Sequence, residues 1–248
     1  GIYSKGDLTI EGGTIGKWNT GGKTKTPDTD TGALGGTATK GANGGDGIHS
    51  DGQINITGGE IVNAKGGTGA IPGNGKGCNG IYSAKKLTIG TATIGNAQGG
   101  NGKSYSGAGV FSGSDLEISG KAFIQNAKGG DSSMRGGDGI HSTGILTIKD
   151  DAKIEKAQGG TGKSGGNGIY SKGDLTIEGG TIGKWKTDRD GKFIYDSKNK
   201  IPDTDTGALG GTAEAGAKGG DGIHSDGKID ITGGEIVNAK GGEGKASG

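Results

Sequence analysis

The chain has one cysteine, three prolines, one methionine and two tryptophans in 248 residues, and each shortage excludes something. Cys78 alone permits neither a disulfide framework nor a cysteine-based metal site. Three prolines, with no glycine at every third position, exclude a collagen helix. No apolar run approaches the ~20 residues that a membrane-spanning helix needs, so no membrane insertion is expected. Neither sign of charge is in excess: 28 basic and 27 acidic side chains leave a net charge of +1, which implies no nucleic acid as partner. No stretch spaces its apolar residues at the helical period of 3.6.

Hydrophobic residues are also scarce, at 27% against an average of about 45–50%. Such a chain orders only if every apolar side chain is used efficiently. What is plentiful is glycine, with 64 residues, and repetition. GGDGIHSDGQINITGGEIVNAKGG at Gly44–Gly67 returns at Gly219–Gly242 with two differences: Lys228 stands for Gln53, and Asp230 for Asn55.

The triplet Gly-Ile-(Tyr/His) sets the frame. It begins at Gly1, Gly47, Gly80, Gly139, Gly168 and Gly222, with Gly109-Val110-Phe111 as its variant. Each unit then reads Ile-x-Ser, a turn, Leu-x-Ile (Leu8-Thr9-Ile10), a third short apolar element (Thr14-Ile15) and a closing Asn-Ala-Lys/Gln-Gly-Gly loop. Period-2 alternation in three brief segments per ~30 residues predicts strands, and their ordered return predicts a single-stranded right-handed parallel β-helix of about seven coils with three short strands each. Stacking at ~4.8 Å places Ile2, Ile48, Ile81, Val110, Ile140, Ile169 and Ile223 on one inward rail. Leu8/Ile10 with their counterparts, and the column Ile15, Ile61, Ile94, Ile124, Ile154, Ile182 and Ile236, form two more. Positive-φ turns account for the glycine. Gln53 and Asn55 flank Ile54 and point outward, so those letters are free to drift. Asn63, Asn96, Asn126 and Asn238 share one turn position, interrupted by Lys156, and suit a side-chain amide ladder.

Two intervals are long. Insertions at Lys17–Gly45 and Lys184–Gly220 both carry Pro-Asp-Thr-Asp-Thr-Gly-Ala-Leu-Gly-Gly-Thr-Ala, and the second adds Asp188–Tyr195, which reads as a small hairpin. Loops this long in a solenoid project from one face and often carry function. Gly1–Trp18 and Gly168–Trp185 are identical, so a five-coil unit of about 167 residues overlies the single coil. The chain is expected to be a piece of a longer repetitive protein, monomeric within it.

Three sets of residues could carry function. The residue after each rail apolar is Tyr3, His49, Tyr82, Phe111, His141, Tyr170 or His224; pointing outward, these rings form a ladder, either a platform for sugar stacking or a strand-favouring stripe. The histidines lie three and two coils apart, too far to share an ion with bonds of ~2.0–2.1 Å. Asp46, Asp138 and Asp221 precede the anchor in coils that are never adjacent, either as turn formers or as calcium ligands. Asp28/Asp30 and Asp203/Asp205 in the insertions are equally open. The RTX calcium nonapeptide is not matched. A polysaccharide lyase needs a basic proton abstractor, and only Arg135 and Arg189 are arginines, both in loops outside the repeated acidic positions. No esterase elbow, zinc-protease motif or phosphate loop opening a helix is present.

The stretch Gly-Asp-Gly-Ile-His-Ser-Asp-Gly-x-Ile-x-Ile-Thr-Gly-Gly-Glu-Ile, at Gly45–Ile61 and Gly220–Ile236, resembles a clostridial-type family of carbohydrate-binding domains. The resemblance runs through all seven coils. It implies a pectate-lyase-like right-handed β-helix that binds polysaccharide and calcium without strong enzymatic activity. The chain departs from the family in its longer coils, its Ala-Lys-Gly-Gly loops and its insertions. The expected function is therefore a non-enzymatic polysaccharide-binding or adhesive segment of a secreted or cell-surface bacterial protein. A purely structural stalk is the alternative, and a lyase a distant third.

Overall fold

The computed structural model describes residues 1–20, 25–38, 42–69, 75–188, 190–196, 199–214 and 216–244. Among them the chain is all-β, with no helix, and nearly all its pairing is parallel. Ile2–Ser4, Ile48–Ser50, Ile81–Ser83, Val110–Ser112, Ile140–Ser142, Ile169–Ser171 and Ile223–Ser225 form a seven-stranded sheet in chain order. Each residue pairs with its counterpart in the next repeat without slippage, as in Ile81 with Val110 and Ile140 with Ile169. The Leu-x-Ile and Thr-Ile segments build a second sheet by the same rule, with Leu87 on Leu116, then Leu146, then Leu175.

Identical neighbours stacking on themselves explain how so few apolar residues suffice. Ile48, Ile81, Val110, Ile140 and Ile169 are fully buried, as are Leu87, Ile89, Leu116, Ile118, Ile124 and Ile154, in one continuous core. The outermost repeats are less covered: Ile2, Leu8, Ile10 and Ile223 are half-buried, while Ile229 and Ile231 are exposed. At ~25 cal/mol per Å2 of apolar surface, each inner rung contributes mainly by being sandwiched between two others.

Two expectations need correcting. A further paired segment follows the third, as a separate strand in most repeats and as a continuation of the third in Glu60–Lys65 and Thr93–Gln98: Ala127–Lys128, for instance, pairs with Ala97 and Gln98 on one side and Ala157 and Gln158 on the other. Its inward residue is a buried alanine, which carries little strand propensity and so left no apolar alternation to read. Most glycines also have a different cause. Positive φ occurs at a minority of the described glycines, such as Gly59 and Gly120. In the closing loops the constraint is close approach instead: a Cβ on Gly100 or Gly130 would collide with the glycine carbonyl of the preceding repeat.

The insertions rejoin the stack early. Ala33–Leu34 pairs with Ala64 and Lys65, and Gly207–Leu209 pairs with both Lys156–Gln158 and Ala239–Lys240. The looped-out parts are thus shorter than their sequence bounds; residues 21–24, 39–41, 189, 197–198 and 215 within those bounds lie outside the described residues. In the second insertion Tyr195–Asp196 and Asn199–Lys200 form an antiparallel pair, extended by Thr187–Phe193 and Trp185–Pro202 bridges.

Candidate functional site

The seven rings after the rail apolars do come together. Successive centroids are separated by 5.1, 4.6, 5.3, 4.8, 4.7 and 5.6 Å from Tyr3 to His224, and most planes are near parallel, 10° for Tyr82 on Phe111. The rings of His49, Tyr82, Phe111, His141 and Tyr170 therefore have a neighbour on both faces. A pyranose stacks by its face on a ring face, and neither face of any of these five rings is free. What the ladder presents to solvent is its edge.

That edge is organised by a second column. Asp46 Oδ2 lies 2.6 Å from His49 Nδ1, Asp138 Oδ2 2.7 Å from His141 Nδ1, and Asp221 Oδ2 2.8 Å from His224 Nδ1. The other oxygen reaches across the stack: Asn79 N donates to Asp46 Oδ1 at 2.6 Å and Asn167 N to Asp138 Oδ1 at 2.7 Å. Asparagine does the same second task in the next repeat, where Asn79 Oδ1 accepts from Ala108 N and Asn167 Oδ1 from Asp221 N. The choice between the two residues follows the ring: Asp stands three positions before His in every case, and Asn three before Tyr. Histidine has a nitrogen at the ring position that needs an acceptor; tyrosine does not. This pairing was visible in the sequence as covariation within the chain.

These contacts leave little for calcium. Both oxygens of Asp46 and of Asp138 already accept from donors, whereas Ca2+ takes six to eight oxygen ligands. The neighbours supplied here are an imidazole and amide N–H groups. No cluster of three or more His, Cys, Asp or Glu placed to hold a metal ion occurs among the described residues. The fit to a calcium shell is poor, and no step below uses one.

Two larger networks sit at equivalent places. Asp51 accepts from Tyr3 Oη at 2.7 Å and lies 3.0 Å from His49 Nε2; Asp226 does the same for Tyr170, at 2.6 Å, and His224. Burial alone would lower the His49 pKa, but the Asp46 and Asp51 hydrogen bonds outweigh it and raise it above 6.5. Hydrogen bonds from His49 and then Tyr3 hold Asp51 below its ordinary range. Burial, with the Asp226 bond second, pushes Tyr170 up to about 12. Cys78, raised to about 11 by burial and then Asp46, stays a thiol and is no nucleophile.

Elsewhere the amide ladder is present in part. Asn96 Nδ2 donates to Asn63 Oδ1 at 2.8 Å and Asn126 Nδ2 to Asn96 Oδ1 at 2.7 Å. The first insertion caps it, since Asn63 Nδ2 donates to the Thr29 and Thr31 carbonyls. Asn238 is capped in the same way by Thr204 and Thr206. Asp28 and Asp203 each accept from a backbone N–H two residues on, at Asp30 and Asp205, which is the Asx-turn use of aspartate. The two drifted letters turn out to be one change: Lys228 Nζ lies 2.9 Å from Asp230 Oδ2. Arg135 lines a small cavity with Asp138 and His141, a proximity its loop position did not disclose; Arg189 lies outside the described residues. Serine at Ile-x-Ser also has a role unassigned from sequence. Its buried hydroxyl donates to a turn carbonyl of the preceding repeat, as Ser83 does to Gly52 at 3.0 Å and Ser142 to Ser114 at 2.9 Å.

Comparison with family models, with characterised proteins and with solved structures finds no match to this chain.

Proposed function

We propose that the chain is a right-handed parallel β-helix that serves as a rigid, non-enzymatic rod within a secreted or surface-anchored bacterial protein. The observation that carries this reading is the closed ring ladder. Five of the seven side chains that could have offered flat faces to a ligand spend both faces on each other, in register, and the end rings Tyr3 and His224 spend one each. Serine hydroxyls, asparagine amides and aspartates likewise direct their hydrogen bonds to the adjacent repeat. A rod needs this kind of bonding. Seven repeats at ~4.8 Å extend about 34 Å, and a five-coil unit that recurs lengthens the rod without new design. The right hand follows from the general handedness of parallel crossovers. Secretion and the bacterial surface rest on the clostridial resemblance.

The adhesive reading, with polysaccharide stacked on the ladder, makes the opposite prediction for one experiment. Tyr82→Ser with Phe111→Ser removes three ring contacts at the centre of the stack. At about 0.5–1.5 kcal/mol per aromatic pair beyond burial, the rod reading expects a loss of about 1.5–4.5 kcal/mol of stability. It also expects no change in retention on immobilised polysaccharides. Unchanged melting together with lost retention would overturn it in favour of a sugar platform.

A further inference from the structure

In a chain that repeats this closely, the exceptions stand out. The position three before the ring holds Asp or Asn in repeats two, three, five, six and seven, and alanine only at Ala108. The ring is His or Tyr everywhere but Phe111. In the closing loops, Tyr105 and Arg135 lie opposite each other, bridged backbone to backbone, with Ser164 next in line. Tyr105, Ala108 and Phe111, from one seven-residue stretch, and Arg135, from the closing loop of the next repeat, all line one cavity of about 170 Å3, together with Asp138 and His141.

The chemistry of that cavity differs from the rest of the ladder. Ala108 supplies a methyl group where other repeats place a carboxylate or amide, which opens the space. Asp138 is 5% exposed, and its charge is engaged by His141 Nδ1 and Asn167 N rather than by Arg135. His49 and His224 also place Nε2 against Asp51 and Asp226. The corresponding residue after His141 is Thr143, and no partner for His141 Nε2 occurs among the described residues. Arg135, Tyr105 and His141 thus line one cavity, and all three carry hydrogen-bond donors. Lys76 Nζ, 5.5 Å from the Tyr105 ring centroid, adds positive charge at the rim.

We propose that this cavity binds a small organic monocarboxylate. Arginine's planar fork matches a carboxylate in two parallel hydrogen bonds. Inorganic phosphate has no carbon skeleton to set against the cavity's apolar wall, so it gains less there than an organic acid does. The Ala108 methyl and the edge of the Phe111 ring, whose faces are occupied by Tyr82 and His141, give the ligand's carbon skeleton an apolar wall. At about 170 Å3 the cavity is smaller than the ~300–1,000 Å3 that holds a drug-sized ligand. It therefore takes a small acid or one acidic group of something larger. This goes beyond the rod, which stands or falls separately.

The chain's three histidines make the test site-resolved. Imidazole nitrogens are followed by NMR while lactate, glucuronate, glucose or inorganic phosphate is added at millimolar concentration. The expected result is a saturable shift of His141 with at least one of the two acids, none with glucose, weaker binding of phosphate, and unmoved signals from His49 and His224. Glucuronate without lactate would identify an acidic sugar as the source of the carboxylate; lactate as well would identify a free small acid. Ala108→Asn supplies the neutral one of the two residues that other repeats use there, without stacking a second carboxylate on Asp138, so it should fold and melt as the parent does while filling the cavity, weakening binding at least about tenfold. Arg135→Gln should do the same without filling it. Absence of any saturable His141 shift with either acid, binding undiminished in both variants, or phosphate binding as tightly as the acids would each overturn the proposal.

Discussion

His49 is held by four neighbours: the faces of Tyr3 and Tyr82 on either side, Asp46 at Nδ1 and Asp51 at Nε2. Every one of them favours the imidazolium, two by charge and two by the attraction of a cation to a ring face. A raised pKa in the folded state means that protonated His49 stabilises the fold fully below 6.5, and that this contribution is lost as pH rises through the folded value. Asp51 has the opposite sign. Its lowered pKa contributes above the ordinary 3.8 and is lost as pH falls through the folded value. The cluster is thus most stabilising between about pH 4 and 6.5. Melting of the parent and of His49→Gln, measured from pH 5 to 9, should differ most at the acid end and converge toward alkaline pH. A difference that stays constant or grows with pH would show that His49 is retained neutral.

At the scale of elements, the parts that were legible in the sequence are those set by side-chain period. The Ile rails, the Leu-x-Ile column and the third apolar column have the pairings that alternation implies, Ile61 on Ile94 on Ile124 on Ile154. Gln53 and Asn55 are exposed as their flanking positions require. The further paired segment was not legible, because alanine carries no period-2 signal. Ring orientation could be read but ring spacing could not: outward pointing follows from the pleat, whereas face closure depends on how each ring turns. The first insertion, which reads as a projecting loop, instead lies against the stack, whereas the second projects, with residues 190–196 and 199–200 exposed. Trp18 Nε1 donates to Glu60 at 2.9 Å, and a Cβ on Gly95 would sit 2.7 Å from both the Trp18 ring and the Val62 carbonyl oxygen and 3.0 Å from Pro27. The first insertion is thus a strap that runs from the first repeat to the third, and Gly95 is the flat place it rests on. Trp18→Ala removes the ring that rests on Gly95 and its bond to Glu60 without touching the rails, so it should free the strap. Trypsin should cut at Lys17 or Lys25 several-fold faster in the variant, with the melting transition nearly unmoved. Equal cleavage rates would mean that the strap is held by its backbone alone.

For the molecule as a whole, the consequence of in-register stacking is that repeats are interchangeable units, each contacting mainly its neighbours. Gly109–Asp138 is one such unit, and its closing loop of ten residues, Gly129–Asp138, matches the ten of Gly99–Ala108 in the repeat before it. Removing Gly109–Asp138 joins Ala108 to Gly139 and sets Ile81 on Ile140, Leu87 on Leu146 and Ile94 on Ile154, apolar on apolar in every rail. Tyr82 then meets His141 directly, and the ring ladder closes over the gap. The shortened chain should fold, remain cooperative, lose ~4.8 Å of length, and show a denaturant m-value reduced by roughly a seventh. A deletion of half a repeat, such as Gly109–Phe123, breaks the frame and should leave no cooperative transition. The whole-repeat deletion also takes away Phe111, Arg135 and Asp138, three walls of the small cavity. It therefore separates the two roles argued for this chain: the rod should persist, as seen by scattering and circular dichroism, while the His141 response to carboxylates disappears. If the shortened chain fails to fold although the frame is kept, the repeats are not the independent units that the ladders imply, and the rod reading falls. If it folds and His141 still responds, the carboxylate site lies elsewhere.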